Sequence, residues 1–351
     1  MMQSKTVLVG MSGGVDSSVA AYLLKKSGYH VIGVTMQMWH PPECFDSYVL
    51  RDAKRVARFL DIPFYVMDFK EEFREHVIRY FVSEYRRGCT PNPCIACNRY
   101  VKWEALLKKS LAMGADFIAT GHYARIKVLP NGRYTVCRAG SIRKDQTYAL
   151  YQLTQQQLKH TLFPIGEYGK EEIRDIARRA GIPVAEKPDS QEICFVPDGD
   201  YAAFLETETN ETEQPGNFVD LDGKILGVHK GISHYTIGQR KGLGIAFGEP
   251  VFVVEIRPET REVVLGRAKD VFADTLLASN LCYMAADSFA GLHQVTAKIR
   301  YNHEGTPAIV CGVKDGILKL SFPEPVRAVT PGQAVVLYDG EHVLGGGTIC
   351  R

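Results

Sequence analysis

Hydrophobic and polar positions follow two successive rhythms along this chain. Through roughly the first two hundred residues, short apolar runs at 6–9, 30–36, 64–67 and 117–120 read as buried strands. Stretches at 47–61, 71–87 and 99–113 carry helical spacing, and Gly28, Gly114 and Asp61-Ile62-Pro63 mark element ends. Alternating strands and helices predict an α/β fold built on a doubly wound parallel sheet, in which ligands bind outside the carboxyl ends of the strands. Residues 10–18, Met36, Gly121 and His122 fall at such ends and are expected to surround one pocket. Residues 125–138 read as a hairpin around Pro130-Asn131-Gly132, and 148–160 and 170–181 as helices. From about Gly216 the rhythm becomes β-rich, with runs at 217–221, 224–228, 251–256, 262–265, 295–299, 308–313, 317–322 and 334–338 between glycine or Pro-Gly turns. That pattern predicts a small mixed β module followed by a C-terminal β-barrel. The acidic stretch 206–213 reads as a solvated loop. Three domains are expected, over 1–205, 206–278 and 279–351.

Composition narrows the class. A chain of 351 residues with 45% hydrophobic and 23% charged positions can bury a real core and exceeds one usual domain. A net charge of +2 neither requires nor excludes nucleic acid. No apolar stretch approaches the ~20 residues of a membrane span. The N-terminus runs straight into the first strand without a signal-peptide pattern, so a cytoplasmic protein with no membrane partner is expected. Nine cysteines, an odd count without a secretory context, are expected to be reduced, and clustered ones become candidates for metal binding or catalysis.

The strongest local signal is Gly10-Met11-Ser12-Gly13-Gly14-Val15-Asp16-Ser17-Ser18, placed between the first apolar run and a helix expected to begin near Asp16. Glycines let backbone N–H groups approach a ligand, and the first amides of a helix have no internal partners. With the helix dipole they form an anion site suited to phosphate. The pattern lacks the Gly-Lys-Ser/Thr of a Walker A loop and is not Gly-x-Gly-x-x-Gly.

A second signal is Thr90-Pro91-Asn92-Pro93-Cys94-Ile95-Ala96-Cys97-Asn98. A proline-rich turn presents two thiols just before a helix, where amide dipoles, Arg99 and Lys102 should favour the Cys97 thiolate. A complete zinc site needs about four ligands and the chain has no second CxxC. Cys194 is the expected distant companion, in Asp189-Ser190-Gln191-Glu192-Ile193-Cys194-Phe195. Adding Cys89 gives Cys-x₄-Cys-x₂-Cys, a spacing also found in plant-type ferredoxins, whose context is missing here. Cys44, Cys137, Cys282, Cys311 and Cys350 read as structural thiols without partners.

Ser-Gly-Gly-Val-Asp-Ser is the PP-loop of N-type ATP pyrophosphatases (adenine nucleotide alpha hydrolase-like), and the chain as a whole resembles the bacterial tRNA-specific 2-thiouridylases of the MnmA family. The resemblance also rests on Asn92-Pro93-x-x-x-Cys97-Asn98, Ala119-Thr120-Gly121-His122-Tyr123, Lys144-Asp145-Gln146, the Cys194 segment, residues 227–239, Lys298-Ile299-Arg300-Tyr301 and Thr330-Pro331-Gly332-Gln333. It implies ATP with Mg²⁺, and a tRNA whose wobble uridine, in acceptors for Lys, Glu and Gln, is adenylated on its 2-oxygen. Sulfur then attacks the activated carbon. By resemblance, Cys194 carries that sulfur as a persulfide and Cys97 assists its release. Gly10, Met11, Ser12, Gly13, Gly14, Val15, Asp16, Ser17, Met36 and Gly121 map to the ATP site. Asn92, Pro93 and Cys94 map to the segment meeting the target base, and His122, Lys144, Asp145, Gln146, Arg300, Tyr301 and Gln333 map to tRNA contacts. A flipped nucleotide is implied. So is a sulfur donor such as a cysteine desulfurase or a persulfide relay protein.

One departure matters. Many family members carry aspartate where this chain has Cys94. Cys94, Cys97 and Cys194 therefore either pass sulfur among themselves or hold a [4Fe-4S] cluster with one open iron; the persulfide route needs no extra cofactor. Rival functions are a PP-loop synthetase or lysidine synthetase, which need no paired distant cysteines, a thiolase for another tRNA base, and a non-catalytic RNA-binding or redox protein, which the intact loop disfavours.

Overall fold

The computed structural model describes residues 4–39, 45–188, 193–245 and 248–350. Its N-terminal sheet contains β1 (Thr6–Gly10), β2 (His30–Gln37), β3 (Phe64–Asp68) and β4 (Phe117–Ala119). The hairpin of β5 (Arg125–Val128) and β6 (Tyr134–Cys137) then leaves for the barrel, and β7 (Thr161–Leu162) returns. The strands are parallel, in the order β3-β2-β1-β4-β7. Successive strands run outward from β1 on one side, and the chain then crosses back to place β4 on the other. The switch point thus lies between the carboxyl ends of β1 and β4, where a parallel sheet opens a crevice.

Helix Val15–Lys26 follows β1 with Asp16 in its first turn and Lys25 and Lys26 in its last, matching both ends of its dipole. The cysteine-bearing helix spans 93–112 and begins earlier than position 99. Asn92 caps it, its side-chain oxygen accepting from the backbone N–H groups of Cys94 (3.1 Å) and Ile95 (3.3 Å), and Pro93 occupies the first turn. Its middle, Cys97–Leu106, is wound as a π-helix, as is Arg74–Ile78 in the neighbouring helix. Residues 148–160 do not form one helix. A 3₁₀ turn, Thr147–Leu150, precedes a short helix, Gln155–Lys159, which Thr154 and Gln157 start afresh with a capping box.

The acidic stretch 206–213 is not a solvated loop. Its first part belongs to helix Tyr201–Thr209, and the Glu213 carboxylate accepts hydrogen bonds from the Ser233 amide and hydroxyl, docking the segment. The mixed sheet contains β8 (Gly216–Val219), β9 (Ile225–His229), β10 (Phe252–Arg257) and β11 (Glu262–Gly266), ordered β10-β11-β8-β9.

The barrel is built from β12 (Phe272–Tyr283), β13 (Gln294–Lys298), β14 (Thr306–Lys314), β15 (Ile317–Arg327), β16 (Ala334–Asp339) and β17 (His342–Ile349). Pairing of β12 with both β15 and β17 closes six strands around Leu276, Phe289, Leu318, Leu320, Val335 and Leu337. Strand β12 runs across position 279.

The β5–β6 hairpin joins the barrel edge at Cys137 and His342. Cys137 is not partnerless: its Sγ lies 3.1 Å from His342 Nδ1. Although Cys137, Glu341 and His342 cluster like metal ligands, Glu341 is committed to Arg125 at 2.5 Å and the thiol to the imidazole. The cluster closes a seam. It locks the hairpin of the first domain to the barrel, which brings barrel loops over the sheet's ligand end. Cys44 and Asp189–Glu192 of the Cys194 motif lie outside the described residues.

Candidate active site

The crevice between β1 and β4 is a cavity of about 230 Å³ lined by Gly10, Met11, Ser12, Asp16, Ser17, Met36, Lys102, Gly121, His122 and Gln146, among others. Its floor is tightly cross-linked. Ser17 Oγ accepts from the Ser12 amide (3.2 Å), and Ser18 Oγ donates to Gly14 O (2.8 Å). Thr35 Oγ1 donates to Met11 O (2.8 Å), holding the loop against β2. Two glycines are required. Gly13 has φ +66°, and a Cβ there would lie 2.6 Å from Val49 O; at Gly121 one would lie 2.6 Å from Ser17 N and 2.8 Å from the Asp16 carbonyl carbon. Gly121 thus lets the end of β4 touch the first turn of helix Val15–Lys26, where Asp16 and Ser17 line the cavity.

Asp16 is clamped rather than free. Both of its oxygens accept from Lys170 Nζ (2.8 and 2.9 Å), and the Tyr123 hydroxyl donates to Oδ1 (2.7 Å). Lys187 Nζ reaches Gly13 O (3.1 Å) and Asp52 Oδ2 (2.6 Å), tying a distant segment to the loop. Thr120 Oγ1 is 2.7 Å from His122 Nδ1. Burial, reinforced by the Lys102 charge, holds the His122 imidazole neutral far below its ordinary range.

The cysteines gather beside this cavity. Cys97 is buried one turn into its helix, with its Sγ 3.9 Å from Met38 Sδ. Cys194 sits on a turn closed by Val196 N donating to Ile193 O (2.9 Å). Its neighbour Phe195 anchors that turn in an aromatic cluster with Phe73, Phe81 and Phe204 at ring distances of 5.7, 5.3 and 5.1 Å. Cys94 and Cys194 reach the surface, yet the protein crowds both. Burial pushes the Cys194 thiol up to about 12, and the charges that Cys97 and Cys94 would carry add to the rise, so the three lie within electrostatic reach of one another. The Cys97 thiolate expected from the helix dipole is not favoured: burial pushes this thiol up to about 11, and Lys102 only partly opposes it.

The barrel closes over the site. Gln333 Nε2 donates to Thr90 O (2.9 Å) and Thr90 N to Pro331 O (2.9 Å), so a barrel turn props the loop that leads to Asn92. Tyr301 packs edge-on against Tyr148 at 6.2 Å and hydrogen-bonds the Gln146 side chain, while Gln146 Oε1 accepts from Tyr123 N at 2.9 Å. Arg300 is half-buried, and its Nη1 donates to Arg327 O (2.9 Å). Lys144 ends the 3₁₀ turn Ile142–Lys144, two residues before Gln146 of the cavity wall. Asp145 is buried, accepting from Ala139 N (3.1 Å) and Thr147 Oγ1 (2.7 Å), and it orders this loop from within. Beyond Asn92, a larger cavity of about 740 Å³ runs between helix Arg79–Arg86, the cysteine helix and the barrel. Arg79, Arg99, Gln152 and Thr348 line it, and His76 stacks on Tyr100 there at 4.7 Å.

Residues 5–198 match the family model of the tRNA methyl transferase HUP domain, 202–267 that of the tRNA methyl transferase PRC-barrel domain, and 273–349 that of the aminomethyltransferase β-barrel domain. The chain is 60% identical to the tRNA-specific 2-thiouridylase MnmA of Lachnoclostridium phytofermentans, with 99% of this chain and 100% of that protein covered. It is 53% identical to the protein of the same name from Carboxydothermus hydrogenoformans, covering 98% of this chain and 97% of that one. The chain belongs to the MnmA family of tRNA-specific 2-thiouridylases. Among solved structures, the U34-tRNA thiolase NcsA of Methanococcus maripaludis with its [4Fe-4S] cluster aligns over 58% of this chain and 66% of that one, at 17% identity and a TM-score of 0.37.

Several residues around this MnmA-family site carry no motif signal of their own. Lys170 and Lys187 come from a helix start and a loop far along the chain, and only the folded sheet brings them to the PP-loop. Tyr123 stands in the Gly121-His122 motif, but nothing in that motif announces its hydrogen bond to Asp16. Lys102 is visible in the sequence as a neighbour of Cys97, whereas its place in the wall of the β1–β4 cavity is not.

Proposed function

We propose that this protein uses ATP to convert the wobble uridine of tRNAs for Lys, Glu and Gln to 2-thiouridine, with Cys97 and Cys194 as the sulfur-handling pair. The observation that carries this reading is the placement of Cys94, Cys97 and Cys194 next to a PP-loop cavity, since adenylation and sulfur transfer must occur on one carbon atom. The ATP phosphates would sit on the free amides at the start of helix Val15–Lys26, where Gly13 and Gly121 leave the backbone bare. The protein donors near those phosphates are the Ser12 and Ser17 hydroxyls and Asp16, whose oxygens already bind Lys170 and Tyr123. Mg²⁺ suits such a site when held chiefly by phosphate oxygens and water.

In the first half-reaction the uridine 2-oxygen bonds to the α-phosphorus, and the bond to the β-phosphate oxygen breaks, releasing pyrophosphate. In the second, the terminal sulfur of a Cys194 persulfide attacks the activated carbon and AMP departs with the oxygen. Cys97 completes the transfer by attacking Cys194 Sγ, which releases thiolated tRNA and leaves a Cys97–Cys194 disulfide for an external dithiol to reduce. Alternatively, Cys97 frees hydrosulfide from the persulfide before attack. A cysteine desulfurase or persulfide relay protein would charge Cys194. The wobble base would have to leave the anticodon stack to arrive at Asn92-Pro93-Cys94. The adjoining cavity with its His76–Tyr100 stack offers room for splayed RNA. His122, Lys144, Gln146, Arg300, Tyr301 and Gln333 would guide the tRNA in.

Cys94 supports a second reading. The three thiols act on one another electrostatically and thiolates are the donors a [4Fe-4S] cluster takes, so Cys94, Cys97 and Cys194 would hold one. Such a cluster would supply an iron free to bind hydrosulfide. Iron and labile-sulfide analysis of anaerobically purified protein separates the two readings, and a full rate from metal-free protein excludes the cluster. The main reading is tested by nucleoside mass spectrometry of unmodified tRNA incubated with the protein, ATP, Mg²⁺ and a persulfide source. ATP-dependent 2-thiouridine at the wobble position is expected; AMP and pyrophosphate without it would point to another substrate.

A further inference from the structure

Three lysines border the PP-loop, and two are neutralised. Lys170 pairs with Asp16 and Lys187 with Asp52. The third, Lys102, is half-buried in the wall of the nucleotide cavity, and among the described residues no carboxylate pairs with it. Its ammonium is aimed rather than loose. Asn98 is 2% exposed; its Nδ2 donates to Ala149 O at 2.9 Å, which fixes the amide, and its Oδ1 accepts from Lys102 Nζ at 2.9 Å. A neutral amide orients this cation without cancelling its charge.

We propose that Lys102 is a further catalytic residue, whose ammonium binds the α-phosphate of ATP and of the adenylated base at the wall shared by the nucleotide cavity and the cysteine helix. Among the described residues that line the same cavity there is no other lysine or arginine. His122 is kept neutral by burial, and Lys170 is committed to Asp16. The position suits both half-reactions that the proposed function requires. During adenylation the α-phosphate exchanges its bond to the pyrophosphate oxygen for one to the uridine 2-oxygen. During sulfur attack the electron pair of the breaking carbon–oxygen bond passes to the AMP oxygen. A fixed cation at the α-phosphate stabilises the negative charge in each case, and in a site shielded from water such a donor is worth far more than in solution. The same charge also acts on Cys94, Cys97 and Cys194.

The proposal rests on the reading of the cavity as a nucleotide site, and its test separates the α-phosphate from everything else. Affinities of AMP and adenosine, which differ by that phosphate alone, are compared by calorimetry for wild type, Lys102→Met and Lys102→Arg. Wild type should prefer AMP by about tenfold or more, Lys102→Arg should keep most of that preference, and Lys102→Met should lose it while binding adenosine as before. With unmodified tRNA and no sulfur donor, Lys102→Met should lower the kcat for pyrophosphate release by about 100-fold, with tRNA affinity and melting temperature close to wild type. An unchanged AMP preference in Lys102→Met, or a kcat within about threefold of wild type, overturns the proposal. If wild type binds AMP selectively but releases no pyrophosphate with tRNA, the reading of the RNA substrate fails, while the AMP comparison still decides the role of Lys102.

Discussion

Lys170 and Asp16, 154 positions apart in the chain, meet in a two-pronged ion pair at 2.8 and 2.9 Å that joins the first turns of two helices. Asp16 suits the positive N-terminal end of helix Val15–Lys26. Lys170 opens helix Lys170–Arg179, where a cation is unfavourable alone, so each residue depends on the other. With Tyr123 as the third member, this pair sets the shape of the PP-loop. Asp16→Ala should slow ATP-dependent AMP formation by about 100-fold and cost about 1–3 kcal/mol of stability, because Lys170 and Tyr123 lose a partly buried partner. Pyrophosphate release and thermal melts check both effects; an undiminished ATP-dependent rate would remove Asp16 from the nucleotide site.

Glycines on the two sides of the same crevice should respond differently to substitution. At Gly121 an added Cβ meets backbone atoms at 2.6 and 2.8 Å, and backbone cannot rotate aside as a side chain can. Gly121→Ala is therefore expected to push helix Val15–Lys26 away from β4 and to weaken ATP binding by about tenfold or more. At Gly10 the nearest protein atom would be 3.7 Å away, an ordinary contact, so Gly10→Ala should melt like wild type whereas Gly121→Ala should melt lower. Calorimetric ATP titration of Gly121→Ala tests the assignment of the β1–β4 crevice, and a wild-type ATP affinity in that variant would contradict it.

That crevice was legible in the sequence because the glycine-rich loop, the strand before it and the helix after it are contiguous. The parallel sheet followed from its apolar runs for the same reason. The barrel was less legible at its closing strands. β12 fully buries only Leu276 and Ala278, so its apolar spacing is weak, and β17 hides behind Gly345-Gly346-Gly347. The acidic stretch at 206–213 misled because charge alone does not reveal a partner such as Ser233. At the site, the cysteines could be picked out as types and spacings, but the protonation of Cys97 could not. Its helix position argued for a thiolate, and only the packed structure reveals the burial that reverses this. Long-range partners such as Lys170 and Lys187 leave no local pattern at all.

Cys97→Ser and Cys194→Ser should each abolish 2-thiouridine formation while leaving tRNA affinity near wild type; Cys97→Ser, which puts a hydroxyl into the core beside Ile95, Ala96 and Val101, should also melt somewhat lower. Wild-type turnover in either variant would remove that residue from the mechanism. Cys94→Asp is more discriminating. Under the persulfide reading it installs the aspartate that the family resemblance leads one to expect there and should retain thiolation; under the cluster reading it removes a thiolate ligand and should lower both iron content and activity.

Gln333→Ala removes the hydrogen bond by which the barrel turn holds Thr90, so the loop leading to Asn92 loses its brace. Affinity for tRNA should fall by roughly tenfold, equivalent to about 1.4 kcal/mol, while ATP affinity stays the same. Arg300→Ala should weaken tRNA binding without touching ATP, and its loss should grow smaller as salt rises if it faces phosphate. Electrophoretic or anisotropy titrations at two salt concentrations check these outcomes, and unchanged affinities would return both residues to a purely structural role.

The buried thiols also make stability depend on pH with a definite sign. Cys97 has its folded value raised from the ordinary 9.0 to about 11, so the folded protein holds this proton after the unfolded chain has lost it. The stability contributed by the neutral thiol is full below pH 9 and is lost as pH rises through about 11, at up to about 1.4 kcal/mol per pH unit. Wild type should therefore lose more stability than Cys97→Ala between these limits, measured as urea midpoints at matched ionic strength. Parallel losses would mean that Cys97 already ionises near its ordinary value. The same burial makes Cys97 a slow nucleophile at neutral pH in the free protein. Its alkylation by iodoacetamide should climb steadily toward pH 11, whereas a persulfide on Cys194, whose terminal sulfur ionises more readily than a thiol, needs no such climb to react. Sulfur delivery at neutral pH is thus better served by charging Cys194 beforehand than by ionising Cys97 in the resting site.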